Sequence, residues 1–257
     1  MREGFTAVTP YITLQRAVEF VDFLKYAFGA TEAYRRTGPT GGLHAGVMIG
    51  DSMVMIGSMP GLSPRDERPG AFHYYVENTD AVFQRALEAG AVAIQPPVDH
   101  EYGERGASVK DPFGNSWYIA TAKGGHYIRE GFHSLTPYLH PTSAAKLIDF
   151  MKQAFGAEEV ARYADPSGRV AHAEVRIGGA MIEMGEAHGP YQPIETGIYL
   201  YVPDVDAAYR KAIEAGGIST LAPADQPRGD RLARVQDGLG TTWYIATPTK
   251  DSPSSSQ

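Results

Sequence analysis

Trp117-Tyr118-Ile119-Ala120-Thr121 returns later in the chain as Trp243-Tyr244-Ile245-Ala246-Thr247. Near the start of each copy, Thr9-Pro10-Tyr11 likewise returns as Thr136-Pro137-Tyr138. The offset between the copies is 126 residues at the first of these motifs, 127 at the second (243 − 117 = 126 and 136 − 9 = 127), and 128 where His44-Ala45 returns as His172-Ala173. This period is far longer than the roughly 20–50 residues of solenoid repeats. The duplication therefore predicts two complete tandem domains.

The ends of the two copies set the predicted domain boundaries. The first domain covers residues 1–124, a linker covers 125–130, and the second domain covers 131–249. The last segment, 250–257, is composed of Lys, Asp, Ser, Pro and Gln, a composition typical of a disordered tail.

The overall composition excludes several functional classes. The chain has 257 residues, which suits two domains of about 100–200 residues each. It has no cysteine, which excludes disulfides, thiolate nucleophiles and cysteine-based zinc sites. A mild formal charge of −7 and the absence of a Lys/Arg run argue against nucleic-acid binding. No apolar stretch is long enough for a transmembrane helix and no signal pattern opens the chain, so we expect a cytoplasmic protein.

Each copy contains the same order of predicted elements twice. In the first copy a strand at 9–14 is followed by a helix with an apolar stripe, which Gly29 ends. That stripe consists of Ala17, Phe20, Val21, Leu24 and Phe28. The remaining elements are strands at 32–36, 44–49, 53–56 and 72–76, a helix at 80–89, and strands at 91–94, 107–110 and 116–120. The pattern predicts an α+β fold in which helices lie on one face of mixed sheets.

A turn precedes the repeated tryptophan motif. Asp111-Pro112-Phe113-Gly114 has Asp, Pro and Gly at the positions that a type I turn favours. Trp117 and Trp243 fall on the helix side of their strands, where a role in the core is the simplest interpretation.

Side chains alternate between the two faces of a strand, so those that do not pack against the helices lie on the opposite face of the sheet, here called the second face. Ala173, Val175 and Ile177 are apolar and should pack against helices, so His172 and Glu174 point the other way. The same parity gives a second face rich in Tyr and His: Tyr11, His44, His73, Tyr75, Tyr118, Tyr138, His172, Glu174, Glu183, Tyr199, Tyr201 and Tyr244. Such rings suit a pocket for a small organic ligand. The alternatives are a solvated face or a face buried against the other domain.

The paired strand-helix-strand-strand-strand unit and its Asp-Pro-Phe-Gly-Asn-Ser-Trp-Tyr-Ile-Ala-Thr ending resemble the vicinal oxygen chelate superfamily. That superfamily contains glyoxalase I, bleomycin-resistance proteins, extradiol dioxygenases and fosfomycin-resistance enzymes. The resemblance covers residues 4–124 and 131–249, and Tyr102–Gly106 is similar to the glyoxalase-like branch found near phosphonate genes. It implies a curved sheet that cups a pocket, with helices on the outer face. It also implies an intramolecular pseudo-dimer, and a further homodimer is common among such proteins.

The resemblance also implies where metal ligands would lie. Metal-dependent relatives use His or Glu on the first and last strands of each unit, which correspond here to Thr9, Met55, Ala71, Tyr118, Thr136, Glu183, Gly197 and Tyr244. Only Glu183 among them is a credible ligand, so no cofactor is predicted. An alternative is a rebuilt site for Zn, Fe or Mn at His172, Glu174 and Glu183. Against it, His172 and Glu174 are two residues apart on one strand, which separates them by about 7 Å.

Two arginines recur at matching places, Arg105 and Arg231. Each is a candidate to hold a loop over the pocket or to bind an anionic ligand group. The alternative is a structural arginine paired with a nearby aspartate.

The sequence favours a protein that binds a small organic molecule in a Tyr- and His-lined cup without the usual metal site. Under this hypothesis the standard metal-dependent glyoxalase or dioxygenase chemistry is not expected. An alternative is a metal-dependent lyase, isomerase or dioxygenase with the rebuilt site in the second domain. A third is a structural or regulatory protein with no ligand.

Overall fold

A computed structural model describes residues 5–38, 41–189, 191–227 and 229–249, so the predicted tail at 250–257 lies outside the described residues. The first copy forms β1 (Val8–Thr13), α1 (Ala17–Phe28), β2 (Thr31–Thr37), β3 (Leu43–Ile49), β4 (Ser52–Gly57), β5 (Ala71–Tyr75), α2 (Thr79–Glu88), β6 (Val92–His100), β7 (Glu104–Lys110) and β8 (Ser116–Ala122). A short 3-10 helix, Pro64–Asp66, precedes β5.

The second copy repeats this order. It forms β9 (Leu135–Leu139), α3 (Ala144–Phe155), β10 (Glu158–Ala164), β11 (Val170–Ile177), β12 (Ala180–Met184), β13 (Thr196–Tyr201), α4 (Val205–Glu214), β14 (Ile218–Gln226), β15 (Asp230–Gln236) and β16 (Thr241–Pro248). The predicted α+β class and the two tandem pairs of strand-helix-strand-strand-strand units are confirmed. None of the helices in the described ranges has the length and apolar character needed to cross a membrane.

The strands belong to two mixed eight-stranded sheets and the chain divides into two compact units. Residues 11–138 form the first-repeat unit, with strand orders β2-β3-β4-β1 and β6-β7-β8-β5-β9. Residues 1–10 and 139–257 form the second-repeat unit, with orders β14-β15-β16-β13-β1 and β10-β11-β12-β9. The division falls inside β1 and β9. The domain boundaries taken from the repeat stay a prediction.

The predicted helix stripes lie in the cores. In α1, Phe20 and Leu24 are fully buried and share a core cluster with Ala45 and Val47 of β3. Full burial of one such large apolar side chain contributes about 1.5–3 kcal/mol. Gly29 follows α1 in the left-handed conformation, with φ 66°, and therefore ends the helix as predicted.

The two tryptophans are completely buried, which confirms the predicted core role. The Trp117 ring lies 4.5 Å from the ring of Phe28, the last residue of α1. In the second copy the Trp243 ring lies 4.9 Å from Phe155, the last residue of α3. Each indole therefore packs its strand against the end of a helix.

The aspartate of the predicted turn binds the tryptophan. Gly114 N donates to Asp111 O across 3.2 Å, as a type I turn requires. Asp111 Oδ1 accepts from the backbone N–H groups of Phe113 and Asn115, both at 2.9 Å. Asp111 Oδ2 accepts from Asn115 Nδ2 at 2.8 Å and from Trp117 Nε1 at 2.9 Å. Burial raises the pKa of Asp111, and the hydrogen bonds oppose that rise.

The second copy retains this arrangement with one donor fewer. Asp237 accepts from the backbone N–H groups of Leu239 at 2.8 Å and Thr241 at 3.0 Å, and from Trp243 Nε1 at 3.0 Å. Thr241 takes the place of Asn115, so no side-chain amide completes the set.

We expect Asp111→Ala to lower the free energy of unfolding by about 3 kcal/mol, because it leaves buried indole and amide donors without an acceptor. The matched Asp237→Ala should cost less, about 2 kcal/mol, because fewer donors are left. Urea unfolding monitored by tryptophan fluorescence measures both. An equal or reversed order would contradict the role assigned to the Asn115 amide.

His140, which follows β9, is a buried imidazole. Its ring lies parallel to that of Tyr191, with centroids 5.8 Å apart, and only 6% of the residue is exposed. Burial lowers the pKa of His140 to about 4, a shift that a hydrogen bond to the Gly185 backbone opposes.

This shift predicts a loss of stability in acid. Between an unfolded pKa of about 6.5 and a folded pKa of about 4, the unfolded chain binds a proton that the folded chain does not. Stability should therefore fall by about 3 kcal/mol as pH drops from 7.5 to 4 through this group alone. His140→Gln should remove that part of the pH dependence in urea unfolding, whereas His126→Gln, an exposed control, should keep it. Identical pH profiles for both variants would refute the assignment.

Candidate functional site

The second face of the first-repeat unit contains a network of three side chains, the two rings of His73 and Tyr75 and the carboxylate of Glu104. The Tyr75 hydroxyl donates to Glu104 Oε1 at 2.6 Å, and His73 Nε2 lies 3.6 Å from Glu104 Oε2. The His73 and Tyr75 rings stack with centroids 4.4 Å apart. Tyr75 and Glu104 are buried, and the His73 side chain is 12% exposed. The carboxylate therefore accepts a hydrogen bond from the tyrosine and lies close to the imidazole.

Two half-buried tyrosines lie beside this network. Tyr118 on β8 is directly opposite His73 on β5, and Thr136 on β9 flanks His73 from the other side. The Tyr118 ring is 4.9 Å from the Tyr138 ring. The structure thus brings the predicted residues His73, Tyr75, Tyr118 and Tyr138 onto neighbouring strands of one sheet face.

The other predicted residues of this unit form a separate ring cluster on β1, β2 and β3. The His44 ring lies 6.2 Å from the Tyr11 ring and 5.5 Å from the Tyr34 ring. Gly46 makes room for Tyr34, because a Cβ atom added at Gly46 would lie 2.2 Å from the tyrosine ring. The Tyr34 ring therefore fills the space that a side chain at position 46 would otherwise occupy.

In the second-repeat unit, tyrosines replace the imidazole of the first copy. Tyr199 occupies the place of His73 (199 − 73 = 126), and its hydroxyl donates to Asp230 Oδ2 at 2.9 Å. The Tyr199 ring is 5.1 Å from Tyr201 and lies parallel to Tyr244 at 6.3 Å. Tyr199 is fully buried, so this part of the second face is not a solvated surface.

His172, Glu174 and Glu183 converge in the second-repeat unit. His172 Nε2 lies 3.3 Å from Glu174 Oε1 and 3.9 Å from Glu183 Oε1. Their potential ligand atoms all lie within 4.8 Å of one another. The backbone positions of His172 and Glu174 are about 7 Å apart along the strand. Their side chains point to the same face and are long enough to bring the ligand atoms closer together than the backbone positions.

The two predicted arginines do not lie on the second face. Arg105 shares its parity with the core residue Val109 and forms two hydrogen bonds to Asp80 of α2. Arg231 likewise forms two hydrogen bonds to Asp206 of α4, at 2.7 and 2.9 Å. These guanidinium groups lower the pKa of Asp80 and of Asp206. This geometry matches the structural alternative, in which each arginine pairs with an aspartate. The reason is strand parity, because the side chains on this side of the strand point toward the helices.

The places where the resemblance expects metal ligands carry few of the side chains that bind divalent ions. In the first copy they carry Thr9, Met55, Ala71 and Tyr118, and none of these supplies an imidazole or a carboxylate. In the second copy only Glu183 supplies one, and its neighbours His172 and Glu174 come from a different strand, β11. His172, Glu174 and Glu183 are nevertheless close enough together to be candidates for a metal site in this unit.

Sequence reasoning missed Glu104, Asp230 and Tyr34. Glu104 is the first residue of β7, but the sequence predicts this strand only from Ala107, so the alternation pattern does not reach Glu104. Asp230 corresponds to Glu104 (230 − 104 = 126), and this conserved offset of two carboxylates is the signal that could have revealed both. No comparable sequence signal indicates Tyr34, because its ring occupies space that is open only since Gly46 has no side chain.

An open depression also lies in the first-repeat unit, outside the second face. Its volume is about 410 Å³, and it is lined by Gln15, Gly41, Gly42, Ser58, Met59, Pro60, Gly61 and Leu62. These residues supply no ionisable side chain, so the depression offers little chemistry.

Comparisons with known proteins give relatives of both sequence and fold. "Uncharacterized protein Rv0887c" of Mycobacterium tuberculosis is 33% identical over 129 residues, which cover 46% of this chain and 76% of that protein. "Putative glyoxylase CFP32" of the same species is 26% identical and covers 81% of each chain. The crystal structure of glyoxalase I from Zea mays matches with a TM-score of 0.71 at 14% identity, covering 93% of this chain and 91% of that one. At this identity the match shows the fold alone.

A family model matches the chain twice, over residues 12–119 and 139–245. Each matched segment lies within one of the two copies of the repeat. The chain therefore belongs to the Glyoxalase/Bleomycin resistance protein/Dioxygenase superfamily.

Proposed function

We propose that the protein binds a small organic molecule on the second face of the first-repeat unit, without a metal ion in that unit. The observation that carries this proposal is the pair of half-buried tyrosines, Tyr118 and Tyr138, beside the His73–Glu104–Tyr75 network. Aromatic rings provide stacking area, and the hydroxyl and imidazole groups provide directional hydrogen bonds.

The electrostatics of this face favour a neutral or weakly polar ligand. Glu104 is the one carboxylate of the network, and it is already engaged by the Tyr75 hydroxyl and faced by the His73 imidazole. A strongly anionic ligand would meet this carboxylate, and a strongly cationic one would compete with the imidazole. Planar or glycosylated organic compounds match the remaining aromatic and hydroxyl groups better.

Membership in a superfamily that includes bleomycin-resistance proteins supports binding without turnover. The places where metal-dependent relatives carry ligands hold Thr9, Met55, Ala71 and Tyr118 in this copy, which supports metal independence. A panel of neutral aromatic compounds and aromatic glycosides is therefore a suitable set of probes.

We expect chelator-treated protein to bind a member of this panel saturably, as measured by isothermal titration calorimetry. Tyr118→Ala should weaken that binding about tenfold, equivalent to about 1.4 kcal/mol, because one stacking ring is lost. Tyr102→Ala is the matched control, since Tyr102 is 72% exposed and stacks only on His100 among the ring contacts described.

Two results would contradict the proposal. One is the absence of saturable binding across the whole panel. The other is an equal loss of affinity in Tyr118→Ala and Tyr102→Ala, which would place the ligand elsewhere on the molecule.

A further inference from the structure

We propose that His172, Glu174 and Glu183 form a binding site for one divalent metal ion in the second-repeat unit. The site goes beyond the proposed small-molecule binding and does not depend on it. Among the described residues, these are the three His, Asp or Glu side chains whose potential ligand atoms all lie within 4.8 Å of one another.

The register of two strands creates the site. Glu174 on β11 and Glu183 on β12 are directly opposite each other in an antiparallel pair. His172 lies two residues before Glu174 and therefore projects from the same face. The core residues Ala173 and Val175 occupy the opposite face and hold this register, because a slip by one residue would expose them.

The burial of the carboxylates makes a cation favourable. Glu183 is 1% exposed and Glu174 is 7% exposed. Two like charges directly opposite each other on a sheet repel, and burial strengthens the repulsion because less water screens it. His172 faces both carboxylates, at 3.3 Å from Glu174 and 3.9 Å from Glu183. A divalent ion would balance both.

The donor set selects the class of metal. One imidazole nitrogen and two carboxylate oxygens suit Zn²⁺, Mn²⁺ or Fe²⁺, which bind such mixed sets with positions left open for water or substrate. Bonds of about 2.0–2.2 Å imply neighbouring ligand atoms about 3–3.5 Å apart. The His172 nitrogen lies 3.3 and 3.9 Å from the two carboxylate oxygens, and all the ligand atoms lie within 4.8 Å of one another, so side-chain rotations would have to bring the more distant atoms to this spacing.

The first copy provides an internal comparison. The residues equivalent to His172, Glu174 and Glu183 are His44, Gly46 and Met55, at a constant offset of 128 (172 − 44, 174 − 46 and 183 − 55). Gly46 and Met55 are also directly opposite each other, so the backbone arrangement is the same. Only the two carboxylates are missing there. The proposal therefore specifies one site per chain.

The experiment titrates Zn²⁺ and, separately, Mn²⁺ into the chelator-treated full-length protein by isothermal titration calorimetry. We expect one equivalent of metal to bind, and the melting temperature to rise with metal concentration because only the folded chain has the site. Glu183→Gln and Glu174→Gln should each weaken binding at least tenfold and abolish the rise. Glu158→Gln, a change at an exposed carboxylate on β10, is the matched control and should bind like the wild type.

Circular dichroism of the metal-free variants separates loss of the site from loss of the fold. The proposal is overturned if the wild type binds neither metal, or if folded Glu183→Gln and Glu174→Gln bind like the wild type. Binding that is lost instead in His44→Gln would also overturn it. None of these results bears on the chelator-resistant ligand binding proposed for the first copy, so the two proposals fail independently.

Discussion

The packing of one buried indole against the end of one helix determines where the chemistry of each copy can lie. Trp117 meets Phe28 and Trp243 meets Phe155, and a buried aspartate at the preceding turn accepts a hydrogen bond from each indole N–H group. This contact fixes the register of the last strand. Because side chains alternate along a strand, the next residue in each copy is a tyrosine that must point away from the helices.

The two copies keep this core and differ on the opposite face. His73 of the first copy becomes Tyr199 in the second, while the carboxylate that each contacts stays in place as Glu104 and Asp230. Packing restricts the core positions, since a change of volume there costs several kcal/mol. The second face has no such restriction from the helices, so one backbone can carry two different sets of polar groups.

Much of the fold was predictable because its signals are local. The helix stripes, the glycines that end α1 and α3, and the turn at Asp111 each depend on neighbouring residues. The site was less predictable, because it depends on how side chains lean and on where a weakly apolar strand begins. Glu104 lies outside the predicted strand because β7 starts in a polar segment, and the pairing of Arg105 with Asp80 depends on a contact between β7 and α2 that the sequence does not show.

The charge balance of the two faces argues for different partners. In the first copy one imidazole faces one carboxylate, His73 and Glu104, so the pair can neutralise itself and leaves aromatic and hydroxyl groups for an organic molecule. In the second copy one imidazole faces two buried carboxylates, a donor set that suits the divalent cation proposed above. Gene duplication has thus kept the indole contact that builds the sheet and has changed the charge of the face it leaves available.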